Sequence, residues 1–337
     1  MRPELEQEAV RNARKIIIFP VWIILLSAIS ATYIFDVPLQ YQFVPLIASM
    51  VFLGLPHGAV DHLMIPKARN ESFSVRWMMK ISAVYLLLGT SYLLLWLIQP
   101  VLAFALFIAI TWFHWGEGEL YVVQQLFMDK SLTGVQKTLE VVLRGAAPMI
   151  LPLIAFPEYY RLIAEATVNL FTSGNTSIAL SLPNTAKTLI LTAYILAALI
   201  LFVYIYRGSG NSLSLKYTVA DISILTLFFL TVPPILAIGL YFCLWHSVRH
   251  AFRYSMLDNE PREGLQQGSV MPAARRFFID SAPLTAVSLV LLGGLYYFLS
   301  VSSGLENLIG VYLVLIAVLT LPHIVLMIWL DRIQGVY

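Results

Sequence analysis

Runs of apolar residues, each close to the ~20 needed for a helix to cross a bilayer, recur along almost the whole chain and constrain its fold more than any other feature. They fall at about 16–35, 43–65, 78–98, 101–123, 139–156, 186–206, 217–233, 235–256, 281–301 and 308–330. Two junctions are tight, at Gln99-Pro100 and Pro233-Pro234, where proline ends one helix and starts the next. Composition agrees, because 12% of the 337 residues are charged and 59% are hydrophobic. A soluble domain carries about 25% charged residues. The expected fold class is all-α, a polytopic integral membrane helix bundle of about ten transmembrane helices.

Lysine and arginine favour the cytoplasmic face of a membrane. With the N-terminus inside, all but Arg161 and Lys187 of the 21 basic residues fall on that face. The asymmetry supports the span count and places both termini in the cytoplasm, with the chain in the cell membrane as a multi-pass protein. The division it implies is an N-terminal tail over 1–15, a single transmembrane domain over 16–330 and a C-terminal tail over 331–337. The first run has no small-residue cleavage site after it and reads as a retained helix. The longest outer connection, 157–185, holds a mixed segment from Tyr159 to Phe171 suited to an amphipathic helix in the interface, then a loop from Thr172 to Ser177. The longest inner connection, 257–280, is charged and broken by Pro261, Gly264, Gly268 and Pro272. A net charge of +2 without a basic cluster argues against nucleic acid as a partner.

All six histidines, His57, His62, His114, His246, His250 and His323, fall inside apolar runs. Ionisable groups at such positions are costly and are functional candidates. His246 and His250 are four apart, so one helix face offers both to a single ion. The second, fourth, eighth and tenth runs cross in the same direction. Counted from their inner ends at 1.5 Å per residue, His57, His114, His246, His250 and His323 share a slab ~9–15 Å deep. His62 is nearer the boundary and reads as an interfacial polar group. A lone intramembrane histidine more often bonds a neighbouring helix than a metal. Five at one depth, with few other polar groups there, point to one metal site.

The contexts suit ligation. Gly54-Leu55-Pro56-His57-Gly58 disturbs its helix and lets another backbone or a ligand come close. Asp61, one turn on, can accept the free N–H of a ligating imidazole. His114 is followed by Glu117 and Glu119, which either orient ligands or mark the inner end of their helix. Arg249 is expected to reach the cytoplasmic headgroups, and Asp221 to sit at a boundary. Trp112, Phe113, Trp115, Phe242 and Trp245 crowd the histidine level, as packing and lipid contact or as a wall for a planar apolar substrate.

Cys243 is the only cysteine, so any metal would be held by nitrogen and oxygen. Imidazoles suit iron, copper, nickel and zinc alike. A zinc hydrolase of the His-Glu-x-x-His kind needs a glutamate that His246-Ser247-Val248-Arg249-His250 lacks. A spacing of four does not serve two stacked haems, and membrane di-iron enzymes use more histidines than this chain has.

The segments Gly54-Leu55-Pro56-His57-Gly58-Ala59-Val60-Asp61, Phe113-His114-Trp115-Gly116, Trp245-His246-Ser247-Val248-Arg249-His250 and Leu321-Pro322-His323 together resemble the Brp/Blh family of membrane β-carotene 15,15′-dioxygenases. They occur in the family's order, from the second run to the last. The resemblance implies cleavage of the central double bond of β-carotene by dioxygen to two all-trans-retinal, often for a microbial rhodopsin. It implies Fe(II) on His57, His114, His246 and His250, with no catalytic residue beyond these ligands. His323 matches a further family histidine, so His323, Asp61 and Glu119 are additional ligands or supporting groups. Two positions depart from the pattern: Glu119 stands where aspartate is typical, and His62 where a small residue is common. A non-catalytic carotenoid- or retinal-binding membrane protein aiding rhodopsin assembly would need the aromatic groove but no metal. A metal transporter would place its histidines at several depths, and their single slab argues against it.

Overall fold

The computed structural model describes residues 3–127, 132–172, 176–178, 182–208, 212–299 and 305–336. Among the described residues there is no strand, and ten helices are long and apolar enough to cross a membrane. In order, the spans are Glu8–Thr32, Leu39–Ala68, Val75–Ile98, Pro100–Leu126, Gly134–Ala155, Asn184–Gly208, Leu213–Thr231, Pro234–Ser255, Met271–Phe298 and Asn307–Gln334. Each apolar run of the sequence overlaps one of them. Arg2, Lys130 and, within the expected loop, Ser173, Gly174 and Asn175 lie outside the described residues.

The boundaries shift outward where polar turns prolong a helix. The ninth span starts at Met271 rather than near 281, because Arg275, Arg276 and Asp280 continue the helix beyond its apolar part. The expected inner connection is correspondingly shorter, and holds a helix over Asn259–Gln266 followed by Gly268 at φ +76°. That backbone conformation favours glycine. The segment expected in the outer connection is a helix over Pro157–Val168.

Caps and prolines fix the helix starts. The Ser74 hydroxyl accepts from the Trp77 N–H at 3.4 Å, and Thr133 with Gln136 closes a reciprocal capping box. Pro100, Pro157 and Pro234 occupy first-turn positions, where a missing N–H costs nothing.

Between apolar helices in a membrane, close packing replaces the hydrophobic effect, and small residues permit it. A Cβ on Gly116 would lie 1.9 Å from the Val141 carbonyl oxygen, and one on Gly145 would lie 1.9 Å from that of Trp112. These reciprocal glycines clamp the fourth span to the fifth. Gly239 similarly lets the eighth span approach the backbone of the second at Leu46. The second and fourth spans each pack against both the eighth and the tenth, so the four histidine-bearing helices surround a common centre.

Candidate metal centre

Two histidine-bearing helices depart from regular α geometry where the histidines sit. The second span breaks into Val44–Phe52, Gly54–Ala59 and Asp61–Ala68, with Leu53 at φ −138° and ψ −35°. Pro56 lacks an N–H, and a side chain on Gly54 would collide with the Phe242 ring and the Ser49 carbonyl at 2.7 Å. The break thus brings the His57 turn against the eighth span. That span widens into a π-helix over Tyr241–His246. The Phe242 carbonyl accepts from both the N–H and the hydroxyl of Ser247, the latter at 2.7 Å. Such π turns are rare and concentrate at functional sites.

Five imidazoles meet inside this frame, all buried. Ring centroids lie 5.3 Å apart for His57 and His246, 5.2 Å for His57 and His250, and 5.2 Å for His57 and His323. His114 stands 5.0 Å from His246 and 4.7 Å from His323. Most pairs are close to perpendicular, an edge-to-face arrangement. Ligand atoms of His57, His114 and His246 lie within 4.8 Å of one another. Both ring nitrogens of His114 and the Nε2 atoms of His246, His250 and His323 are buried without a hydrogen-bond partner. Leaving such groups unpaired costs ~1–3 kcal/mol each. The fit to a cation is therefore good, since neutral imidazole nitrogens are donors that a divalent transition metal accepts.

Other residues hold the rings from behind. His57 Nδ1 makes a short hydrogen bond to the Gly54 carbonyl, with the Ser247 hydroxyl 3.4 Å away, leaving Nε2 as the free nitrogen. His323 Nδ1 donates to Asp61 Oδ2 at 2.6 Å, and the Tyr85 hydroxyl donates to the same oxygen at 2.5 Å. Asp61 therefore stands behind His323. Glu117, fully buried and with neither oxygen hydrogen-bonded, lies 3.9 Å from His114 Nδ1. His62 is turned away, with Nδ1 on the Ala59 carbonyl at 2.8 Å and its ring against Phe73.

Next to the histidines opens a cavity of about 530 Å³, lined almost wholly by apolar side chains and reached by His57, His62, His114 and His323. The size suits a large apolar ligand. Of the aromatic residues at this level, Trp115 and Phe242 line it and stack at 6.1 Å. Trp112 donates its indole N–H to the Val142 carbonyl, Phe113 is 42% exposed, and Trp245 lies buried beneath the Arg249 guanidinium at 3.8 Å.

Arg249 and Asp221 differ from expectation. Arg249 is buried rather than extended to the surface, and ion-pairs with Glu119 and, at 3.1 Å, with Asp221. Asp221 is fully buried and also receives Arg144 at 2.7 Å and the Trp22 indole at 2.7 Å. Glu140 holds Arg144 at 2.6 Å. Charge pairing within the bundle is the physical reason: a carboxylate four residues from Arg144 and two more across the interface replace the headgroups. Glu119 belongs to this network.

A family model described as beta-carotene 15,15′-dioxygenase matches residues 48–331. The chain belongs to that family. It is 37% identical over 297 residues to a probable beta-carotene 15,15′-dioxygenase, Blh, of Halobacterium salinarum, covering 88% of this chain and 86% of the relative. A second relative from that organism, a probable beta-carotene 15,15′-dioxygenase named Brp, is 24% identical over 318 residues, 90% and 87% of the two chains. The beta-carotene 15,15′-dioxygenase of uncultured marine bacterium 66A03 is 24% identical over 290 residues, 85% and 93% of the two chains. No solved structure matches the chain. The family match includes every histidine of the cluster, the second-span break and the π turn.

Proposed function

We propose that this membrane protein cleaves the central 15,15′ double bond of β-carotene with dioxygen, giving two molecules of all-trans-retinal, and that ferrous iron is held by His57, His114, His246 and His250. The observation that carries this reading is the set of unpartnered imidazole nitrogens beside an apolar cavity of about 530 Å³. His323 is the further histidine of the site, steered by Asp61 and Tyr85. When bound, the iron supplies the activation of dioxygen that an alkene alone does not provide. One carbon–carbon double bond is lost and two carbonyl groups form, taking both atoms of one dioxygen. No net proton is exchanged, so the protein need provide no general acid or base.

The chain's own residues hold and orient. Trp115 and Phe242 offer flat walls to a polyene, and fixing its central bond beside the histidines is the kind of positioning that selects one bond among many equivalent ones. Carbonyl, hydroxyl and carboxylate groups behind the imidazoles fix ring orientation. The apolar lining keeps water from the reacting centre. Substrate and product dissolve in the bilayer and reach the cavity from it. We place the protein in the cell membrane with both termini cytoplasmic, supplying retinal to a microbial rhodopsin.

Expression in a bacterial host that makes β-carotene tests the reading. Loss of pigment with accumulation of retinal is expected, together with about one iron per purified chain. Unchanged pigment, with membrane insertion and iron verified, would overturn it. Tight pigment binding without iron or retinal would indicate a carrier instead.

A further inference from the structure

Among the described side chains that line the cavity, four are exposed, and all four belong to two spans. They are Leu86 and Thr90 of the third span, and Val287 and Leu291 of the ninth. Leu86 is 70% exposed, Val287 51% and Leu291 50%. A side chain that lines an interior cavity and also stands this open marks the place where cavity and exterior meet. The third and ninth spans each lean on the second and the tenth, which carry His57 and His323.

The opening lies at the level of the hydrocarbon, not of the headgroups. Leu86 follows Val75, the first residue of its helix, by eleven residues, which is ~17 Å along the axis. Val287 follows Asp280, the last charged side chain of its span, by seven, or ~10 Å. Nearer the start of both spans the gap is sealed. Trp77 and Ile81 of the third and Phe277 of the ninth are buried in one apolar cluster with Met64 and Leu326. Lys67 pairs with Asp258 at 2.5 Å and with Asp280 at 3.3 Å, and Arg276 pairs with Asp280 at 2.7 Å, which ties the same end by charge. Just inside the opening, Tyr85 lines the cavity and donates to Asp61, the carboxylate that holds His323. The entrance therefore leads directly to the histidine centre. None of the four exposed side chains is charged, so the rim suits an apolar entrant that is already dissolved in the bilayer.

We propose that the gap between the third and ninth spans is the portal through which the carotenoid passes from the bilayer to the histidines, and that Leu86 and Val287 set its width. The nature of the entrant rests on the carotenoid-cleaving reading. Residues at a portal govern how fast substrate arrives and not how fast bound substrate reacts, so their effect belongs to kcat/KM and leaves the single-turnover rate alone.

The test plugs the portal and watches entry separately from chemistry. Iron-loaded protein is reconstituted in vesicles carrying β-carotene with dioxygen excluded, and pigment uptake is followed by its change in absorption; dioxygen then starts a single turnover of the bound pigment. Leu86→Trp with Val287→Trp is expected to slow uptake about 10-fold and to lower kcat/KM by the same factor, with the single-turnover rate kept. Leu87→Trp with Val290→Trp, exposed on the same spans but outside the cavity lining, is expected to behave as wild type. Leu86→Ala with Val287→Ala, which widens the mouth, is expected to speed uptake. Uptake within twofold of wild type in the plugged protein overturns the proposal, as does equal slowing in the Leu87 and Val290 control or slower uptake in the widened protein. A wild type that takes up no pigment overturns it as well. If wild type takes up pigment but does not cleave it, the cleavage reading fails, and the portal stands or falls on the uptake rates alone.

Discussion

Two clusters of buried polar side chains lie within one bundle, and they differ in how far their polar atoms are partnered. In the cluster of Glu119, Glu140, Arg144, Asp221 and Arg249, every side chain has an ion-pair partner within the group. In the histidine cluster, the nitrogens that face one another have none. Imidazole nitrogens that carry no proton cannot satisfy each other, whereas carboxylates and guanidinium groups can. Ion pairs leave only Glu119 Oε1 and one Arg144 nitrogen unpartnered in the first cluster, against five imidazole nitrogens in the second.

The largest effects should come from attacking that incompleteness. Alanine at His57, His114, His246 or His250 is expected to reduce retinal formation to background and to empty the site of iron, read by metal analysis. Metal-free His114→Ala should lose little stability relative to metal-free wild type, because neither ring nitrogen has a hydrogen bond to lose, whereas His57→Ala also gives up its bond to the Gly54 carbonyl. Removing iron from wild type with a chelator should lower its thermal unfolding temperature, and a change at a ligand should abolish that difference. A His246→Ala protein with full iron would break the assignment.

The charged cluster should behave in the opposite way. Arg249→Met leaves Arg144 alone to face Glu119, Glu140 and Asp221, and breaking a buried pair costs about 3–5 kcal/mol. Metal-free stability in detergent should fall accordingly, before any effect on iron is considered. Stability equal to wild type would mean that these charges are not sealed from solvent.

Smaller effects should follow from groups behind the rings. Asp61→Asn removes the carboxylate that takes the His323 N–H, and is expected to weaken iron binding about 10–100-fold with little change in metal-free stability. Equilibrium metal competition measures this. Unchanged affinity would show that His323 contributes nothing to holding the ion. The mildest expectation is for Ser247→Ala, which deletes one of two hydrogen bonds to the Phe242 carbonyl and should cost about 0.5–1.5 kcal/mol of stability.

Much of the fold was legible in sequence because hydropathy reports directly on membrane crossing. Helix ends were less so: the polar turns of Met271–Phe298 are helical for reasons of backbone continuity that apolar content does not register. The histidines were legible through depth alone. Glu117 was visible only as one of two nearby carboxylates, and the structure sets it beside His114 while Glu119 turns to Arg249. The Glu140–Arg144 spacing of four was a signal for a buried pair, but one that surface helices share. Tyr85 carried no signal, since tyrosines are common in membrane helices and interfaces.

The sequence by itself determined that the chain is a bundle of membrane helices and that five histidines lie at one level. Both follow from one-dimensional quantities, the length of apolar runs and the rise per residue. Only the tertiary structure decided which nitrogens come together, which carboxylate stands behind which ring, and which side chains line the cavity. Those depend on helix rotation and on the broken turn at Leu53 and the π turn at Tyr241–His246. A single residue more or less in a turn re-aims every side chain that follows.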